Sequence, residues 1–396
     1  MERIYKILLQ LILVIAAGEI LTSSNPPTHK NTLQSHATPT SALNVASVTQ
    51  TPQVTATHPP ADVIRLAWFY KPPAIARMEL VGKQADFFIL THKDESALAA
   101  FKAQGVAVPF SQYLLLAEIH DPGNCSDGPR GNQVAYKEGD FCAISSQHPD
   151  WFLLDKNGKR IGDGDTWFMD PGSDGYRAFW LERARELQET YGWQAIFLDN
   201  VEASRAKMVK GNEPLANYPH DESYQRAVEG FLTYIRQNYF EPRGKAMYAN
   251  IVSVDDDAVW DKYMEYLDGA MIESFATDWD RGFPSTQDWE EQMDQAERAL
   301  IGGKTLILVA QGKQDDVALQ NFAFASYLLL ANSNAYFRYT HSDSYREWWT
   351  YENYELDLGT PLRDRYEEDG SWRRDFQNGY VIVNPQKRQA EILVNP

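Results

Sequence analysis

The sequence lacks the short motifs of several enzyme classes. Only two of its 396 residues are cysteine, too few for a zinc site built from cysteine ligands. No Gly-rich phosphate loop follows the first β-rich run, which argues against a nucleotide-binding sheet. There is also no GxSxG elbow of a serine hydrolase and no His/Cys cluster with the spacing of metal ligands. The sequence therefore predicts no metal site and no cofactor.

Acidic residues are missing from residues 21–61, although the whole chain is strongly acidic. The sequence has 37 Lys and Arg against 55 Asp and Glu, a formal net charge of −18. Nearly all of this charge lies beyond residue 60. An acidic surface argues against nucleic acid or an anionic membrane as a partner. A neutral or cationic substrate fits better.

The N-terminal 61 residues do not read as part of a folded domain. Arg3 and Lys6 precede an apolar stretch of about 12 residues, the pattern of a secretory signal, and about 20 are needed to span a membrane. We predict a signal peptide over residues 1–20, with an uncleaved membrane anchor as the alternative. Residues 21–61 are rich in Thr, Pro and Ser and predict a disordered linker. The folded part is expected to be secreted or tethered at the outer face of the membrane.

Eight β-rich runs alternate with helical patterns beyond residue 62, which predicts parallel strands joined by crossover helices. Their number and spacing indicate a (β/α)8 TIM barrel over residues 62–345, an open doubly wound sheet being the alternative. The predicted strands are residues 63–71, 85–92, 106–116, 195–201, 246–251, 268–275, 305–311 and 335–340.

Two parts of the chain depart from a regular barrel. About 80 residues separate the third and fourth strands, and loops of this length are usually functional. This segment holds a predicted hairpin with Asn157 and Gly158 at its turn, and it holds Cys125 and Cys142. In an oxidising compartment we expect the two cysteines to form a disulfide that pins the loop over the barrel mouth, worth about 3 kcal/mol. Two free thiols or a pair of metal ligands are the alternatives. No clear helix follows the eighth strand, and residues 346–396 predict a small β extension with two antiparallel strands.

Asp199 and Glu273 lie at the predicted carboxyl ends of strands, where the active sites of such barrels are found. Alternation along the fourth strand puts Ala195, Phe197 and Asp199 on the inward face, and Glu273 is placed with Met271 and Phe275 on one face of the sixth. A helix cap or surface acid is the alternative for Asp199, and a structural ion pair for Glu273. Two carboxylates that face one cleft are what glycosidic cleavage requires.

Aromatic and polar residues near other strand ends are candidates for contact with sugar rings and hydroxyl groups. Asp170 could also be the cap of the third helix, and each aromatic residue could belong to the core. The candidate substrate-binding residues are Trp68, Tyr70, Asp170, Asn200, Tyr248, Asn250, Gln311, Arg338 and Trp348.

Residues 148–201, with "HPDWF", "MDP" and "FLDNV", together with "MIESF" and "FQNGYVIVNP", resemble glycoside hydrolases with a (β/α)8 barrel. The chain is similar to the glycoside-hydrolase-like family fifteen and, more distantly, to the endo-α-1,4-polygalactosaminidase group. This resemblance implies retaining hydrolysis of O-glycosidic bonds of a carbohydrate, with Asp199 as nucleophile and Glu273 as general acid/base. A cell-surface glycan-binding barrel without activity is the rival hypothesis.

Overall fold

The computed structural model describes residues 63–211, 213–254 and 256–395, so the predicted signal segment and linker lie outside the described residues. No helix within these ranges is long and apolar enough to cross a membrane. The strands of the described ranges, in chain order, are β1 (Ala67–Phe69), β2 (Phe87–Thr91), β3 (Phe110–Leu115), β4 (Glu118–His120), β5 (Gly162–Asp163), β6 (Thr166–Phe168), β7 (Ala195–Glu202), β8 (Ala246–Val252), β9 (Gly269–Ile272), β10 (Thr305–Gln311), β11 (Ala335–Thr340), β12 (Tyr366–Glu368), β13 (Ser371–Phe376), β14 (Gly379–Asn384) and β15 (Gln389–Val394).

The α-helices of the same ranges connect these strands. They are α1 (Met78–Gln84), α2 (Glu95–Ala103), α3 (Asp140–Gln147), α4 (Asp174–Tyr191), α5 (Ala206–Val209), α6 (Asp221–Ile235), α7 (Asp257–Met264), α8 (Thr286–Ile301) and α9 (Val317–Leu330). The longest, α4, begins where the Ser173 side chain accepts a hydrogen bond from the Tyr176 N–H and ends at Gly192, whose φ of 67° is left-handed. Both ends thus follow ordinary capping chemistry.

The predicted (β/α)8 barrel is confirmed. Eight strands form one parallel sheet in the order β1-β2-β3-β7-β8-β9-β10-β11. A parallel bridge between Leu66 and Phe337 joins β11 to the segment before β1, and the Phe337 N–H donates to the Arg65 carbonyl at 2.8 Å. This contact closes the sheet, so the carboxyl ends of the strands surround one mouth.

Two layers of apolar side chains hold the barrel together. The inner cluster includes Phe69, Phe197 and Met271, while the outer cluster lies between strands and helices and includes Trp68 and Phe275. The predicted inward face of the fourth strand is therefore correct, but Phe275 faces the outer layer, contrary to the expectation.

The backbone is irregular after two strands near the site, and the irregular end of β9 explains that error. The β7–β8 register shifts between Leu198 and Val201, on either side of Asp199. β9 stops at Ile272, three residues before the predicted end, and the Phe275 N–H then donates to the Val309 carbonyl at 2.8 Å. Strand alternation does not hold across such irregularities, which often re-aim a side chain next to an active site. Glu273 lies in the second of them.

The long segment between β3 and β7 forms a small subdomain. β4, β6 and β5 make a three-stranded sheet, and the predicted turn at Asn157 is present, with the Gly158 N–H bonded to the Asp155 carbonyl at 2.9 Å. The predicted disulfide between Cys125 and Cys142 is formed, with Cα atoms 5.8 Å apart.

The loop that this disulfide closes reaches the barrel. Its Asn132 carbonyl accepts a hydrogen bond at 2.8 Å from the N–H of Leu115, the last residue of β3. Part of the closed loop therefore lies at the carboxyl end of a barrel strand, as expected.

The C-terminal extension has four antiparallel strands, β12 to β15, and not the two that were expected. The sheet packs on α9, in which every residue from Phe322 to Leu330 is buried. Arg374 joins the two elements, because its guanidinium donates to the carbonyls of Leu328 at 3.1 Å and Ala331 at 2.9 Å. These carbonyls, at the end of α9, have no partner within the helix. As expected, no α-helix follows β11 in the described ranges.

Candidate active site

Asp199 lies at the barrel mouth with its carboxylate buried, at 8% exposure. It accepts hydrogen bonds from the Tyr113 hydroxyl, from the Asn250 amide at 3.2 Å and from the backbone N–H of Asn200. Burial raises the pKa of Asp199 above its usual value, and these three donors oppose the rise. Donors that favour the charged form are what a carboxylate needs to stay ionised in a buried place.

Glu273 follows the last residue of β9. Its carboxylate accepts hydrogen bonds from the Asn250 amide at 2.9 Å and from the Tyr345 hydroxyl at 2.8 Å. Burial, and then the charge of Asp199, raise its pKa to about 7. Glu273 therefore holds a proton to a higher pH than an ordinary glutamate.

Asn250 connects the two acids, because its amide nitrogen donates to an oxygen of Asp199 at 3.2 Å and of Glu273 at 2.9 Å. The two N–H bonds of a primary amide diverge by about 120°, so the two oxygens are about 5 Å apart. Even with the three atoms in line, their separation could not exceed about 6 Å.

Three tyrosines enclose the space beside the acids. The ring of Tyr70 lies 5.1 Å from that of Tyr113 and 5.2 Å from that of Tyr345, measured between centroids. Tyr113 binds one acid and Tyr345 the other. The acids therefore face a pocket with aromatic walls, a surface that suits the apolar faces of sugar rings.

The backbone at Tyr70 is strained. Its φ is 72°, and the Lys71 N–H donates to the Phe69 carbonyl at 3.1 Å across it, which forms a γ-turn of the rare positive-φ type. Among the described residues the Tyr70 hydroxyl donates only to the Met271 sulfur, at 3.4 Å, and sulfur is a weak acceptor. Strain of this kind collects at functional sites, and this hydroxyl is available for a better acceptor.

Two predicted site residues support Tyr345 instead of lining the mouth. Arg338 is buried and donates to the carbonyls of Phe69, Tyr345 and Glu347 at 3.4, 2.9 and 3.2 Å; burial lowers its pKa to about 9. Gln311 donates to the Tyr345 hydroxyl at 3.0 Å. The expectation that Arg338 contacts substrate is thus corrected, since its guanidinium fastens the segment after β11 to β1.

Three predicted aromatic residues lie away from the mouth. Trp68 and Trp348 pack on each other in the outer layer, with ring centroids 5.7 Å apart and exposures of 0% and 9%. Tyr248 is inside the barrel against Phe87, 5.2 Å between centroids, and close to Thr305 at the start of β10. It therefore lies toward the amino-terminal end of the strands. These positions do not support the expected contact with substrate, which stays a prediction for the three residues; alternation gives a side of the sheet but no depth.

Asp170 has a structural environment. It accepts hydrogen bonds from the Tyr218 hydroxyl, from the Asn217 amide at 3.2 Å and from the Gly172 N–H at 2.8 Å. It does not cap α4, the helix for which the cap was predicted, because Ser173 does. Contact of Asp170 with substrate stays a prediction, as it does for Tyr70, Asn250 and Gln311, which the structure brings close to the acids.

Asn200 divides its contacts between two acids. Its backbone N–H supports Asp199, while its side chain donates at 3.1 Å to Glu118 of β4, whose other oxygen binds the Lys207 ammonium at 2.7 Å. Glu118 and Lys207 were not anticipated, because they follow no pattern and meet only through the fold.

Sequence reasoning also missed Tyr113 and Tyr345. Tyr113 occupies in β3 the inward position that Phe197 occupies in β7, and the register of the two strands could have placed it near Asp199. Tyr345 is one of several aromatic residues after β11, and nothing local to the sequence singles it out.

A closed parallel barrel with two adjacent carboxyl groups at the carboxyl ends of its strands has the architecture of glycoside hydrolases. Comparison of the sequence with family profiles agrees. The chain belongs to hypothetical glycosyl hydrolase family 15, whose profile matches residues 124–380. The resemblance noted in the sequence is thus confirmed, and the protein is a glycosidase that acts on carbohydrate.

The chain is also similar to two solved structures. The glycoside hydrolase domain of PelA from Pseudomonas aeruginosa is 15% identical, with 72% of this chain and 96% of that chain covered and a TM-score of 0.47. The noncanonic maltogenic alpha-amylase AmyB from Thermotoga neapolitana is 10% identical, with 82% and 86% covered and a TM-score of 0.47. No curated protein sequence matches the chain.

Proposed function

We propose that the protein hydrolyses the O-glycosidic bonds of a polysaccharide or oligosaccharide, with Asp199 as nucleophile and Glu273 as general acid/base. The observation that carries this proposal is the bridge of Asn250 between the two carboxyl groups. It holds them at the barrel mouth at the separation that reaction across one glycosidic bond requires.

Protonation supports this division of roles. Three donors favour the charged form of Asp199, and the resulting charge helps to raise the pKa of Glu273 to about 7. In this proposal Glu273, with its raised pKa, carries the proton of the pair and Asp199 carries the charge. An ionised nucleophile beside a protonated acid is the starting state of glycoside hydrolysis.

The separation of the carboxyl groups favours retention of anomeric configuration. Retaining enzymes place them about 5–5.5 Å apart, and inverting enzymes about 6.5–9.5 Å apart to admit a water molecule. The bridged oxygens, at most about 6 Å apart by the bond lengths to Asn250, fit the first class.

The reaction then has two steps. Asp199 attacks the anomeric carbon as Glu273 donates its proton to the leaving oxygen, which gives a glycosyl-enzyme ester and a free sugar end. Glu273, now ionised, removes a proton from water, which attacks the same carbon and releases Asp199. The Tyr113 hydroxyl and the Asn250 amide keep the Asp199 carboxylate oriented.

Export and a substrate that is not anionic belong to the same proposal. The disulfide of the described residues suits an oxidising compartment, and a net charge of −18 disfavours anionic polymers.

A screen for released reducing sugar on neutral, amino-sugar and acidic polysaccharides tests the activity. We expect Asp199→Asn and Glu273→Gln each to lower turnover by several powers of ten, since each removes an obligatory role. Asp315→Asn is the matched control, because Asp315 is an exposed acid in the loop that follows β10. NMR of the first product should find the anomeric configuration of the substrate.

Near-normal activity of either amide variant would show that the residues are assigned wrongly. Glycan binding with no hydrolysis of any polysaccharide would instead support the inactive glycan-binding barrel.

A further inference from the structure

A second cavity lies in the subdomain that the disulfide loop forms. It has a volume of about 190 Å³ and is lined by polar residues, among them His120, Asp121, Arg130, Gln133 and Asp165. One water molecule occupies about 30 Å³ in the liquid, so the cavity has room for about six waters or one monosaccharide ring.

Two buried side chains of this cavity carry hydrogen-bond donors that lack acceptors. The Nδ1 atom of His120 faces the Arg130 guanidinium at 3.2 Å. Because arginine can only donate, Nδ1 accepts and the proton of the neutral ring is on Nε2. Burial, and then the charge of Arg130, lower the pKa of His120 to about 4, so the ring is neutral. The side-chain oxygen of Gln133 accepts a hydrogen bond from the backbone N–H of His120 at 2.6 Å. The two amide hydrogens of the Gln133 side chain are then left to donate.

Neither the Nε2 of His120 nor that of Gln133 has a partner among the described residues. His120 is 8% exposed and Gln133 is 0% exposed. A buried donor without an acceptor costs about 1–3 kcal/mol. A ligand of this cavity therefore gains most if it brings oxygen acceptors to His120 and Gln133.

The charges around the cavity define the rest of the ligand. Among the residues that line the cavity, Asp121 and Asp165 carry two negative charges against the single positive charge of Arg130, which pairs with Asp165. This balance disfavours an anion. Hydroxyl groups suit the site, because one hydroxyl can accept from His120 or Gln133 and donate to a carboxylate.

The cavity lies along a path from the proposed catalytic pair. Glu118 and His120 share one side of β4, and Glu118 binds the side chain of Asn200, the neighbour of Asp199. His120 is about 7 Å farther along the strand than Glu118, at about 3.3 Å per residue. Lys207, which binds Glu118, also acts electrostatically on His120.

We propose that this cavity is a distal subsite that binds one uncharged sugar unit of the substrate chain, a few units from the bond that is cleaved. That the bound sugar belongs to a substrate chain that continues to the acids rests on the proposed function. The preference of the cavity for a polyhydroxyl ligand follows from its lining residues alone. It makes the enzyme one that favours long chains over short ones.

Calorimetric titration with uncharged hexasaccharides tests the subsite in Asp199→Asn protein, which should bind chains without cleaving them. The probes are maltohexaose, cellohexaose, hexa-N-acetylchitohexaose and mannohexaose, each with its disaccharide, and hexagalacturonate as an anionic probe. His120→Asn removes the Nε2 donor and keeps an acceptor near the place of Nδ1. Gln133→Glu keeps the side-chain oxygen that accepts from the backbone N–H of His120 and removes both amide donors. Ser126→Asp adds the same charge to the same loop outside the cavity.

We expect at least one uncharged hexasaccharide to bind, and His120→Asn and Gln133→Glu each to weaken it about tenfold, the effect of one lost hydrogen bond. Ser126→Asp should not change the affinity, the disaccharide should bind equally to all proteins, and hexagalacturonate should not bind. Equal thermal melting of the variants checks that the loop is intact.

The subsite is overturned if no uncharged hexasaccharide binds, or if the bound one is held equally by both cavity variants. Dependence of binding on His120 and Gln133 without hydrolysis by the wild-type protein would leave the subsite and overturn the proposed function. Hydrolysis of a polysaccharide with kcat/KM unchanged in both variants would leave the proposed function and overturn the subsite.

Discussion

Replacing Glu273 by glutamine should stabilise the protein at high pH while it abolishes activity. The pKa of Glu273 rises from 4.5 to about 7 on folding because the carboxyl group is buried beside Asp199. Between these two values the folded protein binds a proton that the unfolded chain has lost. The free energy of unfolding of the wild type must therefore fall as pH rises through this window.

The size of this loss follows from the same values. A pKa rise from 4.5 to about 7 corresponds to at most about 3–4 kcal/mol, at about 1.4 kcal/mol for each pH unit. The value is an upper bound, because Glu273 keeps part of its surface exposed. Glutamine has nearly the same shape and no charge, so this loss should disappear in the variant.

Urea unfolding of the wild type and of Glu273→Gln at pH 5 and pH 8 measures the effect. We expect the two proteins to be similar in stability at pH 5, and the variant to be about 2–3 kcal/mol more stable at pH 8. Asp315→Asn serves as the control and should keep the wild-type pH dependence, since Asp315 is exposed. Identical pH dependence of the wild type and Glu273→Gln would refute the claim that Glu273 is a buried carboxyl group with a raised pKa.

Four further results are expected on a proven substrate or by unfolding. The kcat/KM of the wild type should fall as pH rises through about 7, because Glu273 must be protonated. Tyr345→Phe removes a hydrogen-bond donor that lowers the pKa of Glu273, so this fall should move to higher pH. An unchanged pH profile in Tyr345→Phe would contradict the contact between the two residues. Tyr113→Phe removes a donor to Asp199 and should move the acidic limb to higher pH and lower kcat/KM about tenfold, as initial rates across pH will reveal. Replacing both disulfide cysteines by serine should lower the free energy of unfolding by about 3 kcal/mol, measured in urea; an unchanged midpoint would count against a stabilising role for the bridge.

The sequence was sufficient for the barrel because its strands are continuous apolar runs separated by helices. The predicted strands 305–311 and 335–340 have the bounds of β10 and β11. The prediction for residues 106–116 began too early, since Pro109 cannot donate to a sheet and β3 begins just after it, at Phe110.

Side-chain placement was harder to predict than the strands. Alternation placed Asp199 correctly, since β7 is regular up to Leu198. It failed for Phe275, because β9 ends at Ile272 and the chain then turns before the Phe275 N–H bonds to the Val309 carbonyl of β10. It also could not reveal Tyr345. The position of Tyr345 depends on the buried Arg338, which binds the carbonyls of both Tyr345 and Phe69, and Phe69 is distant in sequence.

The sheet of β12 to β15 has a practical consequence for work with shortened chains. Because α9 is apolar on the side that this sheet covers as well as on the side that faces the barrel, it cannot face water after the sheet is removed. A chain that stops at residue 345 would retain every barrel strand and both acids, yet it would expose a long apolar surface and leave the last carbonyls of α9 without Arg374. Such a surface leads to aggregation. The smallest soluble unit with the barrel must therefore continue through Val394, the end of β15.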